Sequence, residues 1–339
     1  MDSLSPKIIL LVKNRAFGDS IMGLSSISYL REQYPMAKII YGVPEWVAPL
    51  YKNVVTDADE ILPLNFSSMM NWWKMWWKIK KLNPDIIHEM HLSGRGQKFF
   101  ELFGSFNSIP YSSHNHHLNA DNQQTKKVHD QGIIKPLIQR DLDGVWSCLA
   151  ENKKMPSYLD YPPVLKFAHE QSPHVKNQII FGVVATRKTK MWPLKSYVEL
   201  ARIINEKTHY QIIIPLSKNS LDKEIEKELQ QLGLPENCHI IKSPLTELPK
   251  LIQGSHCYIG NDTGLKHLSI SLGVKTYTFF GPEPTTEWHP YNKELHPFFY
   301  KEGLECRTKE AHYCGLNFCE SMICLNEFLP KDIFNQIDF

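Results

Sequence analysis

Residues 257–284 leave the chain little choice of local structure. Tyr258 and Ile259 close a short apolar run, and Asn261-Asp262-Thr263-Gly264 follows as a polar turn. Leu265, Leu268 and Leu272 then fall at i, i+3 and i+7, one face of a helix. Gly273 stands where a helix C-terminus is expected. Residues 274–280 are rich in β-branched and aromatic side chains, as a buried strand is, and Gly281-Pro282 breaks them. The product is a β-α-β unit whose helix opens on a polar loop. Asp262 or Thr263 can cap that helix. The same loop presents free backbone N–H groups, which suit an anion. On this stretch alone both readings stand.

The pattern recurs along the chain. Residues 7–12 form a continuous apolar run of the kind buried on both faces of a parallel sheet. A turn containing Gly18 and Asp19 follows, then a helix over 21–33 striped by Leu24, Ile27 and Leu30, then a strand over 38–43. Asp19 is either an N-cap or a carboxylate displayed at a helix start. A dinucleotide fingerprint needs G-x-G-x-x-G at this turn, and only Gly18 and Gly23 are present, which disfavours a nicotinamide enzyme. A Walker A loop is also missing. The pattern restarts with a strand over 179–184, the basic loop 185–193 and a helix opened by Pro193. Pro156, Pro162, Pro163 and Pro173 mark the linker between the two series. The expectation is two doubly wound α/β domains, 1–172 and 173–339, with ligands at the C-terminal ends of the strands.

Composition bounds what such a protein does. A chain of 339 residues suggests about two domains. A net charge of +2 gives no long-range field for nucleic acid. The apolar runs are too short to span a membrane, and the N-terminus does not read as a signal peptide, so a cytoplasmic location is expected. Cys306, Cys314, Cys319 and Cys324 crowd one tail segment. Four thiols there can hold a structural zinc or iron, although no C-x-x-C pair is present; disulfides and free thiols are the alternatives.

Two further stretches invite interpretation. Trp72, Trp73, Trp76 and Trp77 share a helix over 71–81 with Lys74, Lys78 and Lys81 at i, i+4 and i+7. Such a helix either packs its tryptophans on the sheet or lies on a bilayer, at the inner face of the plasma membrane. Ser93, Arg95 and Gln97 follow a strand over 85–88 and are candidate substrate contacts. Residues 111–127 read as a long surface loop whose His114, His116 and His117 are solvated or touch sugar rather than metal, and 128–150 as a polar-faced helix.

Four segments in register carry a resemblance: the strand and turn through Gly18-Asp19, the loop from Arg187 through Lys190 to Trp192-Pro193, Asn261-Asp262-Thr263-Gly264-Leu265-Lys266-His267-Leu268, and Phe280-Gly281-Pro282-Glu283-Pro284. Together they resemble the family 9 glycosyltransferases, the ADP-heptose:lipopolysaccharide heptosyltransferases. The resemblance implies a GT-B architecture, two Rossmann-like domains facing a central cleft. It implies inverting transfer without an obligatory metal or other cofactor, from an ADP-sugar to a lipid-linked saccharide acceptor. By the same resemblance Asp19 is the general base. Thr186, Arg187 and Lys190 hold the diphosphate, and Asp262, Thr263, Gly264 and Leu265 bind the donor, with His267 orienting their loop. Ser93 and Arg95 are the acceptor-side candidates. Glu283 and Pro284 only shape the rim. The chain departs from the family at residues 216–220, Leu-Ser-Lys-Asn-Ser, where a ribose-binding glutamate is usual. Two alternatives are the same fold with another nucleotide sugar or a protein acceptor, and a non-catalytic nucleotide-sugar-binding protein.

Overall fold

The computed structural model describes residues 6–91, 94–114, 135–167, 176–307, 314, 316 and 318–339. These fall into two compact units, the first holding residues up to 167 and the second residues 176–339.

The first unit runs β1 (Ile8–Val12), α1 (Phe17–Met22), α2 (Leu24–Gln33), β2 (Lys38–Pro44), β3 (Val54–Val55), β4 (Glu60–Leu64), α3 (Met69–Leu82), β5 (Ile86–Glu89), α4 (Arg95–Asn107), β6 (Tyr111–Ser113), α5 (Leu137–Leu149) and β7 (Lys166–Phe167). Its main sheet has the order β4-β2-β1-β5-β6, and every pairing in it is parallel. The expected helix over 21–33 is two helices meeting at Gly23. A β-carbon at Gly23 would come within 2.3 Å of the Tyr41 hydroxyl, so only glycine lets the helices pass so close to β2. The expectation of a polar-faced helix over 128–150 is corrected where the residues are described. α5 buries Leu137, Ile138, Leu142 and Val145, and with them Arg140 and Asp141. Residues 115–134, including His116 and His117, lie outside the described residues.

The second unit runs β8 (Lys176–Gly182), α6 (Leu194–Lys207), β9 (Gln211–Leu216), α7 (Ser220–Leu232), β10 (Cys238–Lys242), α8 (Leu248–Ile252), β11 (Ser255–Asn261), α9 (Gly264–Ser271), β12 (Lys275–Phe280), α10 (Thr285–Trp288), β13 (Phe298–Tyr300), α11 (Ile323–Asn326) and α12 (Pro330–Phe334). Its parallel sheet has the order β10-β9-β8-β11-β12-β13. Renumbered from β8, that is 3-2-1-4-5-6, the order of a doubly wound nucleotide-binding sheet. Its core joins Ile179, Phe181, Trp192, Tyr197, Ile259 and Phe279. In both units the strand order reverses beside the first strand, between β1 and β5 and between β8 and β11. Loops diverge at such a point and leave a crevice at the carboxyl ends of the strands. Among the described residues no helix is long and apolar enough to cross a membrane.

Candidate functional site

In the second unit, the loops after β8 and β11 are tied together by one buried side chain. Asn261 donates from Nδ2 to the Val183 carbonyl (2.8 Å), and its Oδ1 accepts from the Trp192 backbone N–H (2.9 Å) and the Tyr197 hydroxyl (3.1 Å). Trp192, fully buried, stacks on Phe279 at 4.2 Å and meets Tyr197 edge-on at 4.8 Å. The basic loop is therefore pinned by Asn261 both where it leaves β8, at Val183, and at its far end, at Trp192. Between these anchors Lys188–Lys190 makes one 3₁₀ turn.

That turn brings Lys190 to Asp262, with Nζ 3.1 Å from Oδ2. The other carboxylate oxygen, Oδ1, accepts from Lys266 Nζ at 2.5 Å. Lys266 is one helical turn along α9 and wholly buried; it also donates to the Trp288 carbonyl at 2.8 Å and lies 4.8 Å from the Phe280 ring centre. Burial works to raise the Asp262 carboxyl, but the Lys190 and Lys266 ammonium groups outweigh it and hold Asp262 below the ordinary carboxylate range. Burial lowers Lys266 to about 8 against the pull of Asp262, so both partners are charged at neutral pH. Arg187 pairs with Glu283, which also sits 3.9 Å from Lys190. Burial pushes Glu283 up, opposed by those two cations.

The cap at this helix differs from the simplest expectation. Thr263 is the N-cap residue of α9 and makes no side-chain capping bond, and the Asp262 carboxylate is committed to the two lysines. Gly264 and Leu265 open the first turn. Thr186 is exposed on the loop after β8. His267 is buried and bonds through Nδ1 to the Tyr291 hydroxyl at 2.5 Å; burial, and Lys266 beside it, drive its pKa well down, so it is a neutral ring.

In the first unit Asp19 lies in the first turn of α1, whose N-cap is Ala16, so Asp19 is not the cap. It is buried, with Arg15 Nε 4.0 Å from Oδ2. Burial raises its pKa; Lys13 and Arg15 pull the other way, and Asp141 adds to the rise. Behind it stands a buried polar chain. Lys13 Nζ meets both Asp141 oxygens at 2.7 and 2.5 Å, His114 Nε2 lies 3.3 Å from Asp141 Oδ1, and His114 Nδ1 lies 2.9 Å from His88 Nε2. His114 is thus corrected from a loop histidine open to solvent or sugar to a member of an interior network. Arg15 Nη1 contacts His91 Nε2 at 2.5 Å, which joins the loops after β1 and β5.

A cleft of about 530 Å³ opens beside Arg15 at the strand ends, lined also by Asn14, Glu45, Trp46, Asn65, Ser67 and Arg95. Arg95 begins α4 and donates to the Ser67 carbonyl at 3.2 Å. Ser93 lies outside the described residues. Gln97 bonds within its own helix to Glu101 (2.8 Å) rather than facing this cleft. Lys13, Asp141 and Lys266 are charged groups of these sites to which the sequence alone gave no role, and Glu283, expected only to shape the rim, pairs with Arg187. For Lys266 the signal was available: Asp262 and Lys266 stand at i and i+4 on a helix. Of the alternatives for the tail cysteines, the four thiols are free of disulfides, and among the described residues no three His, Cys, Asp or Glu side chains gather as a metal site.

Two Rossmann-like units, each with a switch point in a parallel sheet, have the architecture of the GT-B fold, and the cations beside a helix N-terminus in the second suit an anionic ligand. The chain belongs to glycosyltransferase family 9, the heptosyltransferases, whose profile matches residues 106–314. It is 22% identical over 292 residues to lipopolysaccharide heptosyltransferase 1 of Campylobacter coli, covering 82% of this chain and 84% of that protein. Its fold is similar to that of E. coli ADP-heptose lipopolysaccharide heptosyltransferase II, with a TM-score of 0.68 at 19% identity over 96% of each chain. It is also similar to E. coli heptosyltransferase WaaC with ADP, with a TM-score of 0.59 at 17% identity, over 85% of this chain and 92% of that one.

Proposed function

We propose that this protein is an inverting heptosyltransferase that moves a heptose from ADP-heptose to a hydroxyl of a lipopolysaccharide-core or lipid A-type acceptor. The observation that carries the donor half is the ionised Asp262 at the start of α9, held between Lys190 and Lys266 with Arg187 and Glu283 beside it. In the reaction the acceptor hydroxyl gives its proton to Asp19 and attacks the anomeric carbon. The bond from that carbon to the diphosphate oxygen breaks, and ADP leaves with the electron pair. Burial suits Asp19 to this work, because a base whose pKa is raised toward the working pH removes a proton with more driving force. Arg187, Lys190 and the amide groups of residues 263–265 take the charge that develops on the diphosphate. Asp262 faces the sugar hydroxyls. His267, neutral and tied to Tyr291, holds the first turn of α9 in place.

The cleft with Arg15, Arg95 and Trp46 supports the acceptor reading. Two guanidinium groups suit an anionic saccharide, and an exposed indole suits a sugar face. The protein works in the cytoplasm on an acceptor carried by the inner membrane. The test is a panel of ADP-, GDP- and UDP-sugars read by thermal shift and turnover. Stabilisation by ADP and ADP-heptose alone is the expected result. A preference for GDP or UDP donors refutes the donor assignment.

A further inference from the structure

The tryptophan helix does both things the sequence allowed, on different sides. Met75 and Ile79 of α3 are buried, and Trp76 packs against Phe99, Phe103 and Phe106 of α4 with ring centres 6.2, 4.9 and 6.0 Å apart. The outward side also displays large apolar side chains. Trp73 is 63% exposed, Trp77 53% and Phe106 77%, and Trp73 and Trp77 meet edge-on at 6.5 Å. Met69 and Met70 are exposed at the start of the same helix. A contiguous patch of this kind on a monomer marks an interaction surface.

We propose that this face of α3 and α4 seats the protein on an anionic phospholipid bilayer. Charge decides the occupant. Lys74, Lys78 and Lys81 form one exposed row on the flank of the tryptophans, Lys80 lies over the Trp77 ring at 5.4 Å, and α3 carries no acidic residue. Indoles at headgroup depth with lysines beside them fit a negatively charged surface. A second copy fits poorly, because a two-fold contact through α3 would set two lysine rows against each other. Position agrees as well. Ser67, just ahead of the α3 cap Ser68, and Arg95, the first residue of α4, both line the cleft assigned to the acceptor. Both helices begin at that cleft, so seating their outer face on lipid brings a membrane-borne saccharide to its mouth. This step rests on the lipid-linked acceptor reading above.

The test is sedimentation of the full chain with phosphatidylcholine vesicles containing phosphatidylglycerol, and with phosphatidylcholine alone. Binding to the anionic vesicles, weakened by salt, is expected. Each lysine near an anionic surface contributes about fivefold. Replacing Lys74, Lys78 and Lys81 by Gln together is therefore expected to weaken binding about a hundredfold. Trp73→Ser with Trp77→Ser is expected to lower it about tenfold or more. These side chains are exposed, so thermal unfolding and ADP binding stay as in the wild type. No binding of the wild type at low salt, or equal binding by the tryptophan pair variant, overturns the proposal. A dimer that dissociates in that variant, without vesicle binding, overturns it in favour of a second copy. Loss of ADP recognition by the wild type itself would instead refute the proposed function, so the two failures read out separately.

Discussion

Lys266→Met removes a cation from a fully buried pair and leaves its shape nearly filled. Breaking a buried pair by deleting one partner costs about 3–5 kcal/mol, because the other charge stays desolvated. Here the remaining charge, Asp262, keeps Lys190 at 3.1 Å, so the loss is expected at the lower end, about 3 kcal/mol. Asp262→Asn leaves the buried Lys266 with the Trp288 carbonyl, the Phe280 and Tyr291 rings and the new amide oxygen but no opposing charge on Asp262, and is expected to cost a similar amount. For a domain of this size either change lowers the unfolding midpoint of the second unit by about 6–12 °C. In the double variant neither charge of the pair is stranded, so its loss is expected to fall below that of either single change, far short of the sum of about 6 kcal/mol. Calorimetric or denaturant unfolding of the four proteins measures the coupling. Additivity within about 0.5 kcal/mol would refute the pair as an energetic unit. An acid titration gives a second check. Asp262 has a folded pKa below the ordinary aspartate value, so its contribution is present above that value and is lost as pH falls through the lower folded one. Without Lys266 that loss moves to higher pH; an unmoved acid limb would take Lys266 out of the balance.

Asp19→Ala is expected to lower kcat about 10²–10⁴-fold while ADP affinity by calorimetry is unchanged; near-normal turnover rejects Asp19 as the base. The acid limb of kcat/KM is expected above the ordinary carboxylate value, because burial raises Asp19, and Arg15→Gln moves it further up by removing a cation that opposes the rise. A limb that stays in place removes Arg15 from the base's surroundings. Lys190→Ala is expected to weaken ADP binding about 10–100-fold, the worth of a charged hydrogen bond, and unchanged affinity would reject the diphosphate assignment. Asp141→Asn strands the buried Lys13 ammonium and is expected to destabilise the first unit by about 3–5 kcal/mol; a thermal midpoint equal to wild type would show the pair to be dispensable.

The sites divide by how far apart their parts lie in the chain. The loop at Asp262 and the basic loop at Lys190 were legible because their residue types and strand-to-helix setting are local. The reading of Glu283 as rim was not enough, since its partner Arg187 lies 96 residues away, and only the sheet order puts the loops after β8 and β12 within reach. Asp141 and Lys13 are 128 residues apart. From residues 111–150 alone, His114 and Asp141 look like polar surface; the fold takes both into the interior, where each is held by a partner from another element. The tryptophan helix shows a different limit. Its i, i+4 rows could be counted from the chain, but packing and exposure are one choice per side chain, and only the presence of Phe99, Phe103 and Phe106 on α4 decided that Trp76 packs while Trp73 and Trp77 do not.

Periodicity and turn chemistry by themselves determined the α/β class, the restart of the pattern near residue 178 and the polar loop at 261–264, because strand period, helix period and turn preference are properties of neighbouring residues. The tertiary structure alone decided that this loop is no simple cap. Asp262 ends up between Lys190 from one crossover and Lys266 from its own helix, and burial makes those charges hold each other. Burial and cross-sheet proximity are properties of the packed whole, and no local pattern encodes them.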